Sequence, residues 1–134
     1  MSDTGILKSS GADCEYIHAR LREYNREYYG EVTDYGFHIQ KNGRIVAGIV
    51  AYGTFDTLEV EFLFVEEDCR QEGLGRKLLT HAENAARGAG LKRVLLNTYS
   101  YQAPGFYEKL GYTELFRIEP CFGPHSQHFF MKAL

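Results

Sequence analysis

A chain of 134 residues, 44% hydrophobic and 25% charged, is sized and composed for one soluble globular domain with its own core. Its net charge of −3 argues against a general nucleic-acid binder, which carries a basic surplus, and leaves room for a small cationic partner. Cys14, Cys69 and Cys121 are odd in number, far apart and outside any CxxC or Cys/His ligand spacing, so neither a disulfide framework nor a metal site is expected and free thiols suit a reducing cytoplasm.

In chain order, the start Met1-Ser2-Asp3-Thr4-Gly5 is polar and shows no signal peptide, and no apolar run reaches transmembrane length, so a cytoplasmic, membrane-free protein is expected. A short strand is read around Ile6-Leu7-Lys8. Ile17, Leu21, Tyr24 and Tyr28 then recur at helical spacing between Cys14 and Tyr29, with Asp13 as N-cap and Gly30 as stop, and the stripe reads as core packing. Tyr35 to Gln40 and Arg44 to Tyr52 flank Asn42-Gly43, a hairpin signal, and a third strand, Leu58 to Val65, completes an antiparallel meander. A loop with two glycines opens a helix that runs to Ala89, with Leu74, Leu78, Leu79, Ala82, Ala85, Ala86 and Ala89 forming its apolar side. Arg93 to Thr98 reads as a strand reached by a right-handed crossover, hence parallel to the strand before the helix. A short helix from Pro104 to Leu110, stopped by Gly111, precedes strands at Tyr112 to Ile118 and His128 to Lys132. The organisation is a single α/β domain, residues 1–134, around a mixed sheet.

The loop Arg70-Gln71-Glu72-Gly73-Leu74-Gly75-Arg76-Lys77 carries the most chemistry. Backbone N–H groups gather at such a strand-to-helix turn and the helix dipole adds partial positive charge, while glycines admit a bulky anion. Arg70, Arg76 and Lys77 oppose that dipole at roughly a few tenths of a kcal/mol each, a conflict that a bound polyanion removes. No GxxxxGK[ST] is present, and Gly88-Ala89-Gly90 ends a helix where a dinucleotide fingerprint would start one. What remains is Arg-x-x-Gly-x-Gly after a strand and opening a helix.

That pattern resembles the coenzyme A diphosphate motif of the GNAT N-acetyltransferase superfamily, Gln/Arg-x-x-Gly-x-Gly/Ala, here Arg70, Gly73 and Gly75. Ala103-Pro104-Gly105-Phe106-Tyr107-Glu108-Lys109-Leu110-Gly111-Tyr112 resembles the family's Ala-x-x-x-Tyr-x-Lys-x-Gly-Phe/Tyr segment at a fitting distance. The resemblance covers the chain from about Tyr35 onward and points to small single-domain bacterial members. It implies a mixed, mostly antiparallel sheet with a splayed parallel strand pair and helices on both faces. It also implies acetyl-CoA as co-substrate, with pantetheine in the splay along Leu63, Phe64 and Val65. The diphosphate would meet the N–H groups of Gln71, Glu72, Gly73, Leu74, Gly75 and Arg76, with Arg70, Arg76 or Lys77 reaching the phosphates, and Ala103 and Phe106 would join the cofactor contacts. Where the family often has a pantetheine-contacting Asn this chain has Ser100, with Asn97 three residues earlier and Gln102 nearby.

Acetylating an amine requires a neutral amine, a polarised thioester carbonyl and a proton for the departing thiolate. Tyr107 matches the family's general acid, and a phenol pKa of about 10 suits that role. Strict alternation along Leu58 to Val65 places Glu59 and Glu61 on the face of Leu63 and Val65, so either is a candidate base; the resemblance favours Glu59, while Glu61 is nearer the splay. Paired carboxylates also favour a cationic acceptor. His125 and His128, with Phe37, Tyr99, Tyr101 and Phe122, fall where the resemblance places the acceptor pocket. The implied function is acetyl-CoA-dependent N-acetylation of a small-molecule primary amine by direct attack; the alternative is a non-catalytic acyl-CoA-binding sensor or interaction module. A homodimer through the C-terminal strands fits the family, and the acceptor's identity stays open.

Overall fold

The computed structural model describes residues 5–134, so the reading of Met1 to Thr4 lies outside the described residues. The chain divides into two compact units, residues up to Glu31 and Val32–Leu134.

The first unit is one helix, α1 (Gly11–Tyr29). Ser10, not Asp13, is its N-cap: the Ser10 hydroxyl accepts from Asp13 N–H at 3.2 Å and the Asp13 carboxylate accepts from Ser10 N–H at 2.8 Å, a capping box. Gly30, at φ 69°, ends the helix as its sequence position suggests. Within this unit the tyrosine stripe has nothing to pack on. No residue of α1 is buried, because the unit offers no second helix or strand for Ile17, Leu21, Tyr24 and Tyr28 to pack on. Ile6-Leu7-Lys8 forms no strand.

The second unit runs β1 (Thr33–Asp34), β2 (Phe37–Lys41), β3 (Arg44–Thr54), β4 (Thr57–Val65), α2 (Leu74–Gly88), β5 (Arg93–Tyr99), α3 (Pro104–Lys109), β6 (Thr113–Ile118) and β7 (Gln127–Ala133). These make a seven-stranded sheet in the order β1-β3-β4-β5-β7-β6, with β2 also paired to β3. Asn42 and Gly43 take φ 53° and 76°, the left-handed pair that a two-residue hairpin needs to match strand twist. Every pairing is antiparallel except β4 with β5, reached through α2 as the crossover reading expects.

Two sheet features position the site. Parallel pairing of β4 and β5 covers only Thr57↔Arg93, Leu58↔Val94 and Glu59↔Leu95; beyond it β4 stays with β3 and β5 with β7, so a V opens between them. The β3–β4 register also jumps from Ala51↔Val60 to Val50↔Phe62, leaving Glu61 as a bulge. The core lies on the face carrying Ala47, Ile49, Ala51, Leu58, Val60, Val94, Leu96 and Phe130. Leu78, Leu79, Ala82 and Ala86 of α2 pack into it, the 3.6-residue stripe expected for that helix. Fully buried side chains such as Leu79, Leu58 and Phe130 each contribute roughly 1.5–3 kcal/mol. No helix among the described residues is long and apolar enough to cross a membrane.

Candidate active site

A single 3-10 turn, Glu67–Cys69, leads from β4 to the glycine loop. Gln71 (φ 70°) and Gly73 (φ 75°) are both left-handed, which turns the chain sharply into α2. Gly73 is the N-cap and no side chain caps the helix; the first intrahelical bond runs from Lys77 N–H to Gly73 O at 3.0 Å. The N–H groups of the first turn therefore face outward without an intramolecular anion, the arrangement that binds phosphate. Arg76 and Lys77 are exposed and form no ion pair among the described residues. Glu72, the one acid of the loop, is paired with Lys41 of β2, and Asp68 with Arg44 of β3 at 3.0 Å, so the hairpin offsets the negative charge beside the turn. The Glu72 hydrogen bond pushes the Lys41 ammonium up, and Arg44 holds the Asp68 carboxyl down. Arg70 turns back: its Nε donates to Val65 O at 3.1 Å, bracing the turn and occupying the Val65 carbonyl. A Cβ on Gly75 would lie 3.5 Å from Phe106 and 3.6 Å from Val65, so the two sequence motifs meet at this glycine beside half-buried Leu74.

The bulge corrects the strand-face reading. Strict alternation put Glu59 and Glu61 with Leu63 and Val65. The unpaired Glu61 shifts the phase, so Leu63 and Val65 share the core face with Leu58 and Val60 (their partners Ile49 and Ala47 are buried). Glu59 shares the opposite face with Phe62 and Phe64, 66% and 54% exposed, and Glu61 is exposed at the bulge. Glu59 is the last β4 residue paired with β5 and marks the apex of the V.

Tyr107, on α3, is only 8% exposed, against Phe106, Tyr112 and Phe130. Burial pushes its phenol up. It makes no hydrogen bond within the described residues, and none of their buried side-chain nitrogens or oxygens lacks a partner, so its hydroxyl reaches solvent-accessible space. A phenol in an apolar wall with its O–H open to a cleft stays protonated and available as a donor. Tyr112 differs. Its hydroxyl donates to buried Glu83 Oε2 at 2.6 Å, Lys132 Nζ donates to Glu83 Oε1 at 3.0 Å, and that ammonium lies 5.5 Å from the centre of the Tyr112 ring. Desolvation first, then Glu83, drives the Tyr112 phenol far up. Glu83 escaped the sequence reading, although an acid on the apolar side of α2, four residues after Leu79, is the signal that finds it.

At the tip of β5, Asn97 accepts from Gln127 Nε2 at 3.1 Å on the face opposite the core. Ser100 is clasped to the start of β7: its N–H donates to Ser126 O at 2.9 Å, and its hydroxyl accepts from Ser126 N–H at 2.9 Å. Gln102 Oε1 accepts from Thr98 Oγ1 and Tyr99 N–H, which closes the turn after β5. Ala103, exposed, precedes α3 as its N-cap. Next to the clasp, Tyr99 stacks on Tyr101 and meets Phe122 edge-on, and Tyr101 meets His125. Phe37 lies elsewhere, edge-on to His81 of α2, in a groove of about 410 Å³ that Lys77 also lines, on the side of β3 away from β5. His128, which the resemblance places at the acceptor pocket, is buried with Ser126 and bonded to Glu114 of β6. No group of three or more metal-ligating side chains occurs among the described residues.

An uncapped, glycine-lined helix start beside a V between two parallel strands, with a buried tyrosine on the following helix, defines a class of acyl-CoA-dependent transferases. Residues 9–112 match the family model described as the acetyltransferase (GNAT) family. An acetyltransferase from Agrobacterium fabrum is 30% identical over 121 residues, 86% of this chain and 88% of that one. Blasticidin-S acetyltransferase from Streptomyces morookaense is 36% identical over 73 residues, which span about half (54%) of either chain. The crystal structure of an acetyltransferase from Bacillus cereus superposes with a TM-score of 0.81 at 32% identity, covering 98% of both chains. The chain belongs to the GNAT acetyltransferase family: it is an acetyltransferase whose acetyl donor is acetyl-CoA.

Proposed function

We propose that the protein transfers the acetyl group of acetyl-CoA to a primary amine of a small acceptor by direct attack, with no covalent enzyme intermediate. The observation that supports this reading is the meeting of the uncapped start of α2 with α3, where Gly75 lies against Phe106 and Phe106 meets Tyr107 edge-on. The first-turn N–H groups from Gly73 to Arg76, with Arg76 and Lys77, hold the diphosphate. The cleft edge of β4 past Glu59, at Leu63, Phe64 and Val65, aligns the pantetheine. Since Arg70 occupies the Val65 carbonyl, the remaining polar groups of that edge take this role.

The amine nitrogen bonds to the acetyl carbon as the carbon–sulfur bond breaks, and Tyr107 delivers a proton to the leaving thiolate. Glu59, at the apex of the V, and Glu61, projected by the bulge, supply negative charge that favours a cationic acceptor. The Streptomyces relative is named for a small antibiotic acceptor, consistent with this substrate class. The setting is cytoplasmic, in keeping with three free cysteines. Self-association runs through β6, the edge strand, which exposes Leu115, Phe116 and Ile118; a one-chain mass by light scattering would remove that part of the reading.

The test is a thiol-release screen of acetyl-CoA against a broad library of primary amines, with product mass determined. Amine-dependent thiol release with a 42 Da gain on the amine is expected. Release without an acetylated amine, or no calorimetric binding of acetyl-CoA at millimolar concentration, would sink the proposal.

A further inference from the structure

Three side chains from two strands and a loop form one hydrogen-bonded chain. Glu114 of β6 meets His128 Nδ1 in a short bond, and His128 Nε2 lies 2.8 Å from Ser126 Oγ. Their roles follow from chemistry. Arg117 binds both Glu114 oxygens, at 3.1 and 2.9 Å, and holds the carboxyl below its usual range; a carboxylate only accepts, so Nδ1 carries the proton. In the neutral ring Nε2 is then the acceptor, and the Ser126 hydroxyl donates to it. That leaves the Ser126 oxygen with lone pairs to accept a further proton. His128 and Ser126 are 5% and 6% exposed, and Glu114 is the more open end.

The inner end lies at the tip of β5. Ser126 is clasped through both backbone groups to Ser100, just past the end of β5, where β4 has already parted from it. On the core side, Phe130 stacks beside His128 and packs against Tyr107. We propose that Ser126, His128 and Glu114 form a proton relay that takes the proton an ammonium acceptor must lose before it attacks. This inference rests on the proposed amine acetylation. Ser126 Oγ accepts the ammonium proton while passing its own to His128 Nε2. The resulting imidazolium is held by the Glu114 carboxylate at Nδ1. The freed amine forms the carbon–nitrogen bond as the carbon–sulfur bond breaks, Tyr107 protonates the thiolate, the surplus proton of the acylated nitrogen restores the Tyr107 phenol, and the imidazolium returns its proton to water. The charged and titratable groups facing His128 are Glu114 and its register partner Arg117 on β6, with Tyr107 of α3 beyond Phe130; Lys132, further along β7, is committed to Glu83.

The test compares Ser126→Ala, His128→Asn and Glu114→Gln with the parent enzyme from pH 6.5 to 9.5, using any amine that the screen shows to be acetylated. A general-base loss of about 10²- to 10⁴-fold in kcat is expected for His128→Asn at pH 7, shrinking as rising pH neutralises the amine without help. KM for acetyl-CoA of Ser126→Ala stays near the parent value, while its thermal midpoint falls by a few degrees because buried His128 Nε2 loses its partner. ¹⁵N NMR of the folded protein, which needs no acceptor, is expected to show neutral His128 protonated at Nδ1. A pH-independent deficit, full activity in Ser126→Ala, or an Nε2–H tautomer overturns the relay while leaving acetyl transfer intact. A parent enzyme that acetylates no amine overturns both.

Discussion

Tyr107 and Tyr112 lie five residues apart, their rings 5.7 Å apart, and both are buried, yet removal of their hydroxyls separates catalysis from stability. In Tyr107→Phe the lost hydroxyl had no partner among the described residues, so the folded state forfeits little and stability changes by less than about 0.5 kcal/mol. Turnover then falls by about 10²-fold or more, the contribution of a positioned proton donor. In Tyr112→Phe the lost hydroxyl was donating to a buried carboxylate at 2.6 Å. A hydrogen bond to a charged group contributes about 2 kcal/mol, and Glu83 keeps only Lys132 as compensation. An unfolding entropy of about 2.1 cal/mol/K per residue over 134 residues turns 2 kcal/mol into a midpoint lowered by about 7 °C. Differential scanning calorimetry and thiol-release kinetics on the two variants read both quantities. A Tyr107→Phe midpoint that falls as far as that of Tyr112→Phe would refute the open hydroxyl; full turnover in Tyr107→Phe would refute its role as acid.

Saturating acetyl-CoA at about 100 times its dissociation constant should stabilise the protein by about 2.7 kcal/mol, read as a rise in melting temperature, and Gly73→Val, which forces a branched side chain into a left-handed turn, should abolish most of that rise. Both buried phenols are raised above the unfolded value of about 10, so the unfolded chain releases their protons first as pH climbs. Stability should therefore be unaffected by them below about pH 10 and fall above it, by about 1.4 kcal/mol per pH unit from Tyr112, whose phenol is driven far up, and urea titrations across that range should show a shallower alkaline loss in Tyr112→Phe. Gly53→Ala would place a Cβ 2.6 Å from the Tyr35 ring and 3.0 Å from Leu91, and should cost about 1–3 kcal/mol in urea denaturation; a change under about 0.5 kcal/mol would mean that the buried ring of Tyr35 moves freely.

The elements of the second unit were legible because each is signalled locally: Asn42-Gly43 sets a turn, Gly73 turns the chain between strand and helix, and the α2 stripe has one dominant face. The parallel β4–β5 pair followed from handedness alone. Alternation failed at Glu61, because a bulge leaves no mark in a run of residues that all suit a strand; only pairing with β3 reveals it. Asp13 looked like a cap because it is an acid before an apolar run, whereas Ser10 completes a capping box that Asp13 serves from its third position. The α1 stripe shows that helical periodicity reports an apolar face without reporting what covers it. Glu114, Ser126 and His128 were invisible as a set because they lie on segments joined only when β7 pairs with β6, a relation between strands that no local pattern encodes.

β7 lies between β5 and β6 although it follows both in the chain. As the polypeptide emerges from the ribosome, β5 and β6 are complete while the strand that must lie between them is still unmade. Each then presents a bare edge, and their premature pairing would exclude β7. Phe130, the ring that sits against both Tyr107 and His128, arrives with that last strand. Nascent chains stalled before Gln127 should therefore be protease-sensitive and inactive, and the packing around Tyr107 is finished in the same step that closes the sheet.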